Sequence, residues 1–313
     1  MVGIGRYTLD NLVAGLRNPR IFLGELYRFG VDINVAYHRY ARSECGTHVF
    51  EEDWDNLLIL DACRFDMFSE QNSLRGDLQR RRSLGSESWE FLRANFAGGQ
   101  FHDTVYVTAN PHAAKLPDGT FHAVVDLLEG GWDPEQRTVL PRTVAEATRR
   151  AAEQYPDKRL IAHFMQPHFP FIGDTGRRLE HGGIERSSAE SDGDDRHVWG
   201  SLGHGRLPKA RVWEAYRENL DVVLPHTEAL LQSLSGRSVV TSDHGNLLGE
   251  RTRPVPVRGY GHPRGLNVPE LRIVPWLVVE GSERRSVVAE PPVDEGSPSE
   301  RIIKDRLEAL GYR

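Results

Sequence analysis

Five short apolar runs recur along the chain, and polar or turn-forming residues bound each of them. The runs are Asn56–Leu60, Thr104–Thr108, Leu160–Met165, Ser238–Thr241 and Ile273–Val279. Between them, apolar residues follow helix-like spacing at residues 88–96, 142–154 and 207–235. Near-continuous apolar strands that alternate with helices are typical of a parallel sheet covered on both faces. The pattern therefore predicts an α/β fold with a mostly parallel central sheet.

The segments outside this alternation predict three further parts. Residues 8–40 show helix-like spacing, and we interpret residues 1–50 as a helical N-terminal cap on the main domain, with a partner-binding or membrane-surface helix as the alternative. Residues 51–280 form that main domain. Within it, residues 172–206 are polar and Gly-rich and predict a long surface loop, either a lid or an insertion. Residues 281–313 predict an irregular linker and a short C-terminal helix.

The composition indicates the general class of protein but no particular activity. The chain has 313 residues, 39% of them hydrophobic and 27% charged, and a net charge of −6, which suits a soluble globular protein and argues against a nucleic-acid partner. Cys63 follows an apolar run and reads as a buried thiol, so a disulfide with Cys45 is disfavoured. We find no transmembrane segment and no signal pattern. We therefore expect a cytoplasmic protein, peripheral at most through its N-terminal helices.

The residues that follow the predicted strands carry most of the candidate chemistry. In a parallel α/β sheet, ligands bind beyond the carboxyl ends of the strands. Those ends bring two carboxylates and three imidazoles to one rim: Asp61, His112, His168, Asp243 and His244. Such a mixture suits a divalent cation such as Zn²⁺ or Mn²⁺. A lone Asp there is otherwise a helix N-cap and a lone His a structural residue. The adjacent pair Asp243-His244, followed by a glycine, fits the structural interpretation less well.

Several motifs resemble the alkaline phosphatase/sulfatase superfamily. Residues 240–250 resemble its Ser-Asp-His-Gly signature with a later Gly-Glu, and residues 58–66 resemble its first strand, which ends in a metal-binding Asp. Weaker matches, in the same order along residues 54 to 280, are Pro167–Phe171, the helix with Tyr216 and Asp221, and Leu271–Trp276. The resemblance extends to lipoteichoic-acid-synthase-like phosphoglycerol transferases. It implies an alkaline-phosphatase-like three-layer sandwich that hydrolyses or transfers phosphate or sulfate esters.

The resemblance also implies a nucleophile at a helix start, and residues 84–92 match that place. Ser88 is preferred over Ser86 there, although a hydroxyl at a helix start is also the ordinary N-cap. Formylglycine sulfatases modify a Cys or Ser in the pattern Cys/Ser-x-Pro-x-Arg. Neither cysteine fits that pattern, and Trp89-Glu90 follow Ser88. A serine phosphoesterase or phosphotransferase is therefore expected rather than a formylglycine sulfatase.

By the same resemblance, one divalent cation (Zn, Mn, Mg or Ca) is expected, held by Asp61, Ser88, Asp243 and His244. One ion is expected rather than two, because no Asp stands four residues before His168, although His262 could supply the further imidazole of a second site. Ser88 and His168 are the catalytic candidates, and charged imidazoles would help to offset the negative charge of the ester. The candidates for binding the substrate are His112, His262 and Arg64.

Two other functions remain open from the sequence. A catalytically degenerate member would bind a glycan, a lipid phosphate or a protein partner without turnover, and the unusual sequence around Ser88 favours it. A phosphoglycerate-mutase-like isomerase shares the metal core, but the chain is short for the inserted domain of those enzymes. For the enzyme, the partner is a phosphate or sulfate ester, and whether a glycan or a lipid carries it is left open.

Overall fold

The computed structural model describes residues 19–40, 45–181, 198–281, 283–293 and 299–311. The strands are β1 (Asn56–Leu60), β2 (Asp77–Arg82), β3 (Phe101–Thr108), β4 (Phe121–Asp126), β5 (Trp132–Asp133), β6 (Thr138–Val139), β7 (Arg159–Phe164), β8 (Ser238–Thr241), β9 (Leu247–Arg251), β10 (Arg258–Gly261) and β11 (Ile273–Val279). The α-helices are α1 (Pro19–Tyr40), α2 (Phe65–Gln71), α3 (Ser88–Phe96), α4 (Pro141–Gln154), α5 (Asp174–His181), α6 (Val198–Gly203), α7 (Lys209–Ser233), α8 (Pro269–Arg272) and α9 (Glu300–Ala309). Two 3-10 helices cover Val49–Glu51 and Pro111–Lys115.

Seven strands form the central sheet, in the order β2-β11-β8-β1-β7-β3-β4. The five strands from β8 to β4 are parallel to one another, whereas β11 runs antiparallel to β8 and β2 antiparallel to β11. All five apolar runs of the sequence are strands of this sheet. The predicted α/β fold with a mostly parallel sheet is therefore confirmed.

Alternate residues of the central strands point to opposite faces of the sheet, and each face is covered. Leu58 and Leu60 of β1 belong to one apolar cluster, which includes side chains of α4 and α7. Leu57 and Ile59 belong to the other, which includes side chains of α3. Burial on both faces is why these strands read as continuous apolar runs, and it makes the molecule a three-layer sandwich.

Strands at the margins were not predicted. β2 is one of the sheet's two edge strands, with the sequence Asp-Leu-Gln-Arg-Arg-Arg and partly exposed side chains, so it carries no apolar pattern. β9 and β10 form a separate antiparallel hairpin. This hairpin ends at Gly261, directly before His262, and thereby brings that imidazole towards the rim.

The N-terminal helix contacts this hairpin. The Asn34 side chain donates hydrogen bonds to Thr252 Oγ1 (2.7 Å) and to the Val255 carbonyl (2.8 Å), and it accepts one from the Val255 N–H group (2.7 Å). Helix α1 starts at Pro19, and the predicted helical residues 8–18 lie outside the described part of the chain. None of the described helices is long and apolar enough to cross a membrane.

Residues 172–206 differ from the single polar loop that the sequence predicts. Both ends of this segment are helical, and Leu179 of α5 and Trp199 of α6 pack against the apolar cluster that includes Tyr216. Residues 182–197 lie outside the described part, so the lid function stays a prediction. Cys45 is exposed, Cys63 is buried, and no disulfide joins them, as expected.

Candidate functional site

The first part of the site is the tight turn after β1. Asp61 ends the strand fully buried, and Ala62 follows with a φ of 60°. This left-handed conformation costs a non-glycine residue about 1 kcal/mol. It aims the Ala62 N–H group at Asp243 Oδ1, at 3.0 Å, while the Tyr216 hydroxyl of α7 donates to the Ala62 carbonyl. Asp61 is therefore not a helix N-cap; the turn presents its carboxylate to the neighbouring strand end.

The second part follows β8, the strand beside β1. The His244 N–H group donates to Asp243 Oδ1 at 2.9 Å, which fixes the carboxylate, and His244 Nδ1 donates to the Gly245 carbonyl at 2.8 Å. The lone pair of this imidazole is therefore on Nε2. A Cβ atom on Gly245 would lie 2.1 Å from the Glu270 carbonyl oxygen. Only glycine permits this approach, which explains its place after the Asp-His pair.

Ser88 reaches the same point from the first turn of α3. The helix is capped by Glu87, whose carboxylate accepts hydrogen bonds from the Trp89 and Glu90 N–H groups. The N-cap interpretation of Ser88 is therefore wrong. Its hydroxyl lies 2.7 Å from Asp243 Oδ2, 3.3 Å from Asp61 Oδ2 and 3.3 Å from His244 Nε2.

Ser86 is engaged elsewhere. Its hydroxyl donates to Glu90 Oε2 at 2.7 Å and accepts from the Gly265 N–H group at 2.9 Å. These bonds tie the start of α3 to the segment after β10. The geometry favours Ser88 over Ser86 as the reactive hydroxyl.

The four donor residues fit a small cation. Ligand atoms of Asp61, Asp243 and His244 all lie within 4.8 Å of one another, and all three side chains are buried. His244 Nε2 is 3.5 Å from Asp61 Oδ1 and 3.6 Å from Asp243 Oδ2. Ligands on a tetrahedral Zn²⁺ with bonds near 2.1 Å are about 3.4 Å apart. Two buried carboxylates, an imidazole lone pair and a hydroxyl at this spacing form a suitable site for a divalent ion.

Charge and hydrogen bonding keep the Asp243 carboxylate ionised. Burial raises the pKa of Asp243, but His244, His163 and the Ala62 N–H group outweigh it and hold the pKa below the usual range. The Asn110 amide donates to Asp61 Oδ2 at 2.8 Å. Asn110 and His163 were not singled out in the sequence, although Asn110 stands beside His112 at the end of β3.

The imidazoles of His112 and His168 hold opposite tautomers. The Lys115 ammonium can only donate, so at 2.8 Å it makes His112 Nδ1 an acceptor and leaves the proton on Nε2. His168 Nδ1 donates to the Phe169 carbonyl, which leaves the lone pair on Nε2. Burial, reinforced by Lys115, lowers the pKa of His112 to about 3; burial, reinforced by His244, lowers that of His168 to about 4. Both rings are neutral at pH 7, so the charged imidazoles expected from the sequence are not present.

His262 joins this group from the end of the hairpin. Its ring centroid lies 5.0 Å from that of His168 and 4.7 Å from that of His244. Burial and the neighbouring His244 and His168 hold the pKa of His262 well below its usual range. The structure thus brings the predicted His112, His168 and His262 to the rim that carries Asp61 and Asp243.

The guanidinium group of Arg64 is bound by other residues of the protein, which differs from the expected role in binding substrate. Its guanidinium group donates to both carboxylate oxygens of Asp66, to Glu250 Oε1 at 2.8 Å and to the Asn246 carbonyl at 3.1 Å. These bonds join the turn after β1 to strand β9. They favour a structural role for Arg64 over the predicted role in substrate binding.

Comparison with known proteins gives matches at the level of structure. No family model matches the sequence, and no curated protein matches it. The chain is similar to the integral membrane lipooligosaccharide phosphoethanolamine transferase A of Neisseria meningitidis, with 13% identity and a TM-score of 0.43 over 71% of this chain and 47% of that one. It therefore spans about half the length of that protein.

Two other solved structures are similar at the same level. One is the C-terminal periplasmic domain of the phosphoethanolamine transferase EptC from Campylobacter jejuni, with 14% identity and a TM-score of 0.45 over 72% of this chain and 78% of that one. The other is a 2-O GAG sulfatase, with 12% identity and a TM-score of 0.43 over 82% and 70%. All three proteins belong to the alkaline phosphatase/sulfatase superfamily, which the sequence motifs resemble.

Proposed function

We propose that this protein is a metal-dependent hydrolase or transferase of phosphate esters, with sulfate esters as the second substrate class, and that Ser88 is its nucleophile. The observation that carries the proposal is the position of the Ser88 hydroxyl, 2.7 to 3.3 Å from side-chain atoms of Asp61, Asp243 and His244. A hydroxyl held by two buried carboxylates and an imidazole has no role as a helix cap. Its position supports a role as a ligand and as an attacking group.

A divalent cation bound by these residues would lower the pKa of the Ser88 hydroxyl and offset negative charge on the ester oxygens. Ser88 Oγ passes its proton along its hydrogen bond to Asp243 Oδ2 and on to solvent, and forms the new bond to phosphorus. The bond from phosphorus to the ester oxygen breaks, and the alcohol takes a proton from solvent water as it leaves. Water or an acceptor hydroxyl then releases the phosphoryl group from Ser88.

The neutral histidines have complementary tasks in this scheme. His112, with its proton on Nε2, donates a hydrogen bond to a non-bridging oxygen of the ester. His168, with its lone pair on Nε2, accepts the proton of the incoming water or hydroxyl group. One donor and one acceptor at a buried rim need no charged imidazole, in agreement with the lowered pKa values of both rings.

The test is turnover of aryl esters by protein loaded in turn with Zn²⁺, Mn²⁺, Mg²⁺ and Ca²⁺. The substrates are p-nitrophenyl phosphate, bis(p-nitrophenyl) phosphate and p-nitrophenyl sulfate. We expect metal-dependent release of p-nitrophenol, and Ser88→Ala should lower kcat at least about 10³-fold, or roughly 4 kcal/mol.

Ser86→Ala is the matched control, since it removes an equivalent hydroxyl two residues away and should keep most of kcat. Intact mass spectrometry should detect phosphate on Ser88 in the parent and none in Ser88→Ala. Absence of turnover with every ester and metal would support the degenerate binding protein instead. Loss of kcat in Ser86→Ala, with activity kept in Ser88→Ala, would move the nucleophile to Ser86.

A further inference from the structure

A fully buried histidine lies beside the carboxylate of Asp243. His163 is on β7, which flanks β1 on the side opposite to β8. Its Nε2 atom lies 3.8 Å from Asp243 Oδ2, the same oxygen that accepts the Ser88 hydrogen bond at 2.7 Å. This distance is longer than a hydrogen bond, so the interaction is electrostatic. In a buried site such an interaction is far less screened than it would be in water.

The other nitrogen of His163 is held by a tyrosine. The Tyr106 hydroxyl on β3 lies 2.8 Å from His163 Nδ1, and both side chains are fully buried. Burial raises the pKa of Tyr106, so its hydroxyl keeps its proton at any ordinary pH. The Tyr106 hydroxyl can therefore donate to His163 Nδ1.

These contacts select one tautomer of His163. If Tyr106 donates to Nδ1, the ring proton is on Nε2 and points at Asp243 Oδ2. The other tautomer would place the Nε2 lone pair against a carboxylate oxygen, which is repulsive. The chain of contacts from Tyr106 through His163 therefore ends in an N–H group directed at Asp243.

We propose that His163, oriented by Tyr106, is a positioning residue whose Nε2–H group holds the Asp243 carboxylate so that Oδ2 faces the cation and Ser88. The proposal rests on the metal site of the proposed function and extends it by two residues. Outer partners of this kind orient ligands, and their loss typically weakens metal binding about 10- to 100-fold. His163 and Tyr106 touch neither substrate nor cation in this arrangement; they act through Asp243.

Three variants distinguish a role of His163 in orienting Asp243 from a role in packing alone. His163→Leu removes the N–H group, His163→Gln keeps an N–H donor near the position of Nε2, and Tyr106→Phe removes only the hydroxyl that selects the tautomer. Calorimetric titration with Zn²⁺ should show affinity about 10- to 100-fold weaker in His163→Leu, a smaller loss in Tyr106→Phe, and near-parent affinity in His163→Gln. His122→Leu is the control, because it removes a buried imidazole that faces the Glu290 carbonyl instead.

Nitrogen-15 NMR of the metal-free protein reads the tautomer directly. We expect the proton of His163 on Nε2 in the parent, and a mixture of tautomers in Tyr106→Phe. A proton on Nδ1 in the parent would overturn the inference, and so would parent-like Zn²⁺ affinity in both Tyr106→Phe and a folded His163→Leu. If His163→Leu does not fold, Tyr106→Phe and the NMR measurement decide. Parent protein that binds no divalent cation would overturn the proposed function together with this inference.

Discussion

Asp126, at the carboxyl end of β4, has a partly buried carboxyl group. Burial raises its pKa to about 6; the Leu128 N–H group opposes this shift and the charge of Glu129 adds to it. The folded protein therefore binds this proton more tightly than the unfolded chain does. Its stabilising effect is complete below about pH 4 and is lost as the pH rises through 6.

Asp126→Asn should consequently stabilise the protein at pH 7, by up to about 3 kcal/mol, because it removes a charge that the fold disfavours. The advantage should shrink as the pH falls towards 4, where the parent carboxyl is protonated too. Thermal unfolding of both proteins between pH 4 and 8 measures this. Asp118→Asn, at an exposed position, is the control. A stability difference that does not change with pH would contradict the assignment.

Residues whose role depends on a partner far along the chain could not be predicted. The sequence places Asp61, Asp243 and His244 at strand ends, and the superfamily resemblance adds Ser88. His163 lies inside an apolar run and reads as a core residue, because nothing local shows that Tyr106 and Asp243 flank it. Likewise, Arg64 looks available for substrate until its contacts with Asp66 and Glu250 are known.

Helix α7 supports the site through polar side chains that its apolar pattern does not reveal. The Asn219 amide donates to the carbonyls of Pro167, His168 and Pro170 at 2.9 to 3.2 Å, and its oxygen accepts from the Ile172 N–H group at 3.0 Å. One buried amide thus provides hydrogen-bond partners for three carbonyl groups and one N–H group in and after the turn that carries His168. The turn is also bonded to β1, since the His168 N–H group donates to the Asp61 carbonyl.

Asn219→Leu, of similar volume, should therefore destabilise the protein by about 3 kcal/mol, because it leaves several buried backbone groups without partners. It should also lower kcat, since His168 loses its support, while metal affinity changes little. Thr227→Val is the matched control, because the Thr227 hydroxyl, also buried on α7, bonds only the Val223 carbonyl of the same helix among the contacts described. Urea unfolding and ester turnover measure the two effects. Equal losses in both variants would show that Asn219 has no special role.

Strands could be predicted from the sequence where both of their faces are buried. Strands and helices that are only partly buried could not. The five apolar runs are strands because both of their faces are covered, and the segments at 88–96, 142–154 and 207–235 are the helices α3, α4 and α7 that cover them. Strand β2 was not predicted, because an exposed edge strand can consist of charged residues. Helices α5 and α6 were not predicted because they lie in a polar segment and contribute few apolar side chains to the core.

At the scale of the whole molecule, a cation at the proposed site should act as a ligand of the folded state. Zn²⁺ at 100 times its Kd should add about 2.7 kcal/mol to the free energy of unfolding, and a chelator should remove it. Differential scanning fluorimetry with and without Zn²⁺ measures the change in Tm. The double variant Asp61→Asn/Asp243→Asn should lose the response, whereas Asp118→Asn should keep it. An unchanged Tm in the parent would contradict the metal site.

The pairing of β1 with β8 has a consequence for the order in which the protein is made. The bond between Ala62 and Asp243 joins residues 181 positions apart, although their strands are neighbours in the sheet. During synthesis, Asp61 therefore leaves the ribosome long before Asp243 and His244 do. At the proposed site an ion could be captured only after synthesis has passed His244. Metal loading would thus belong to a late stage of maturation, and a product truncated before Asp243 would lack the site.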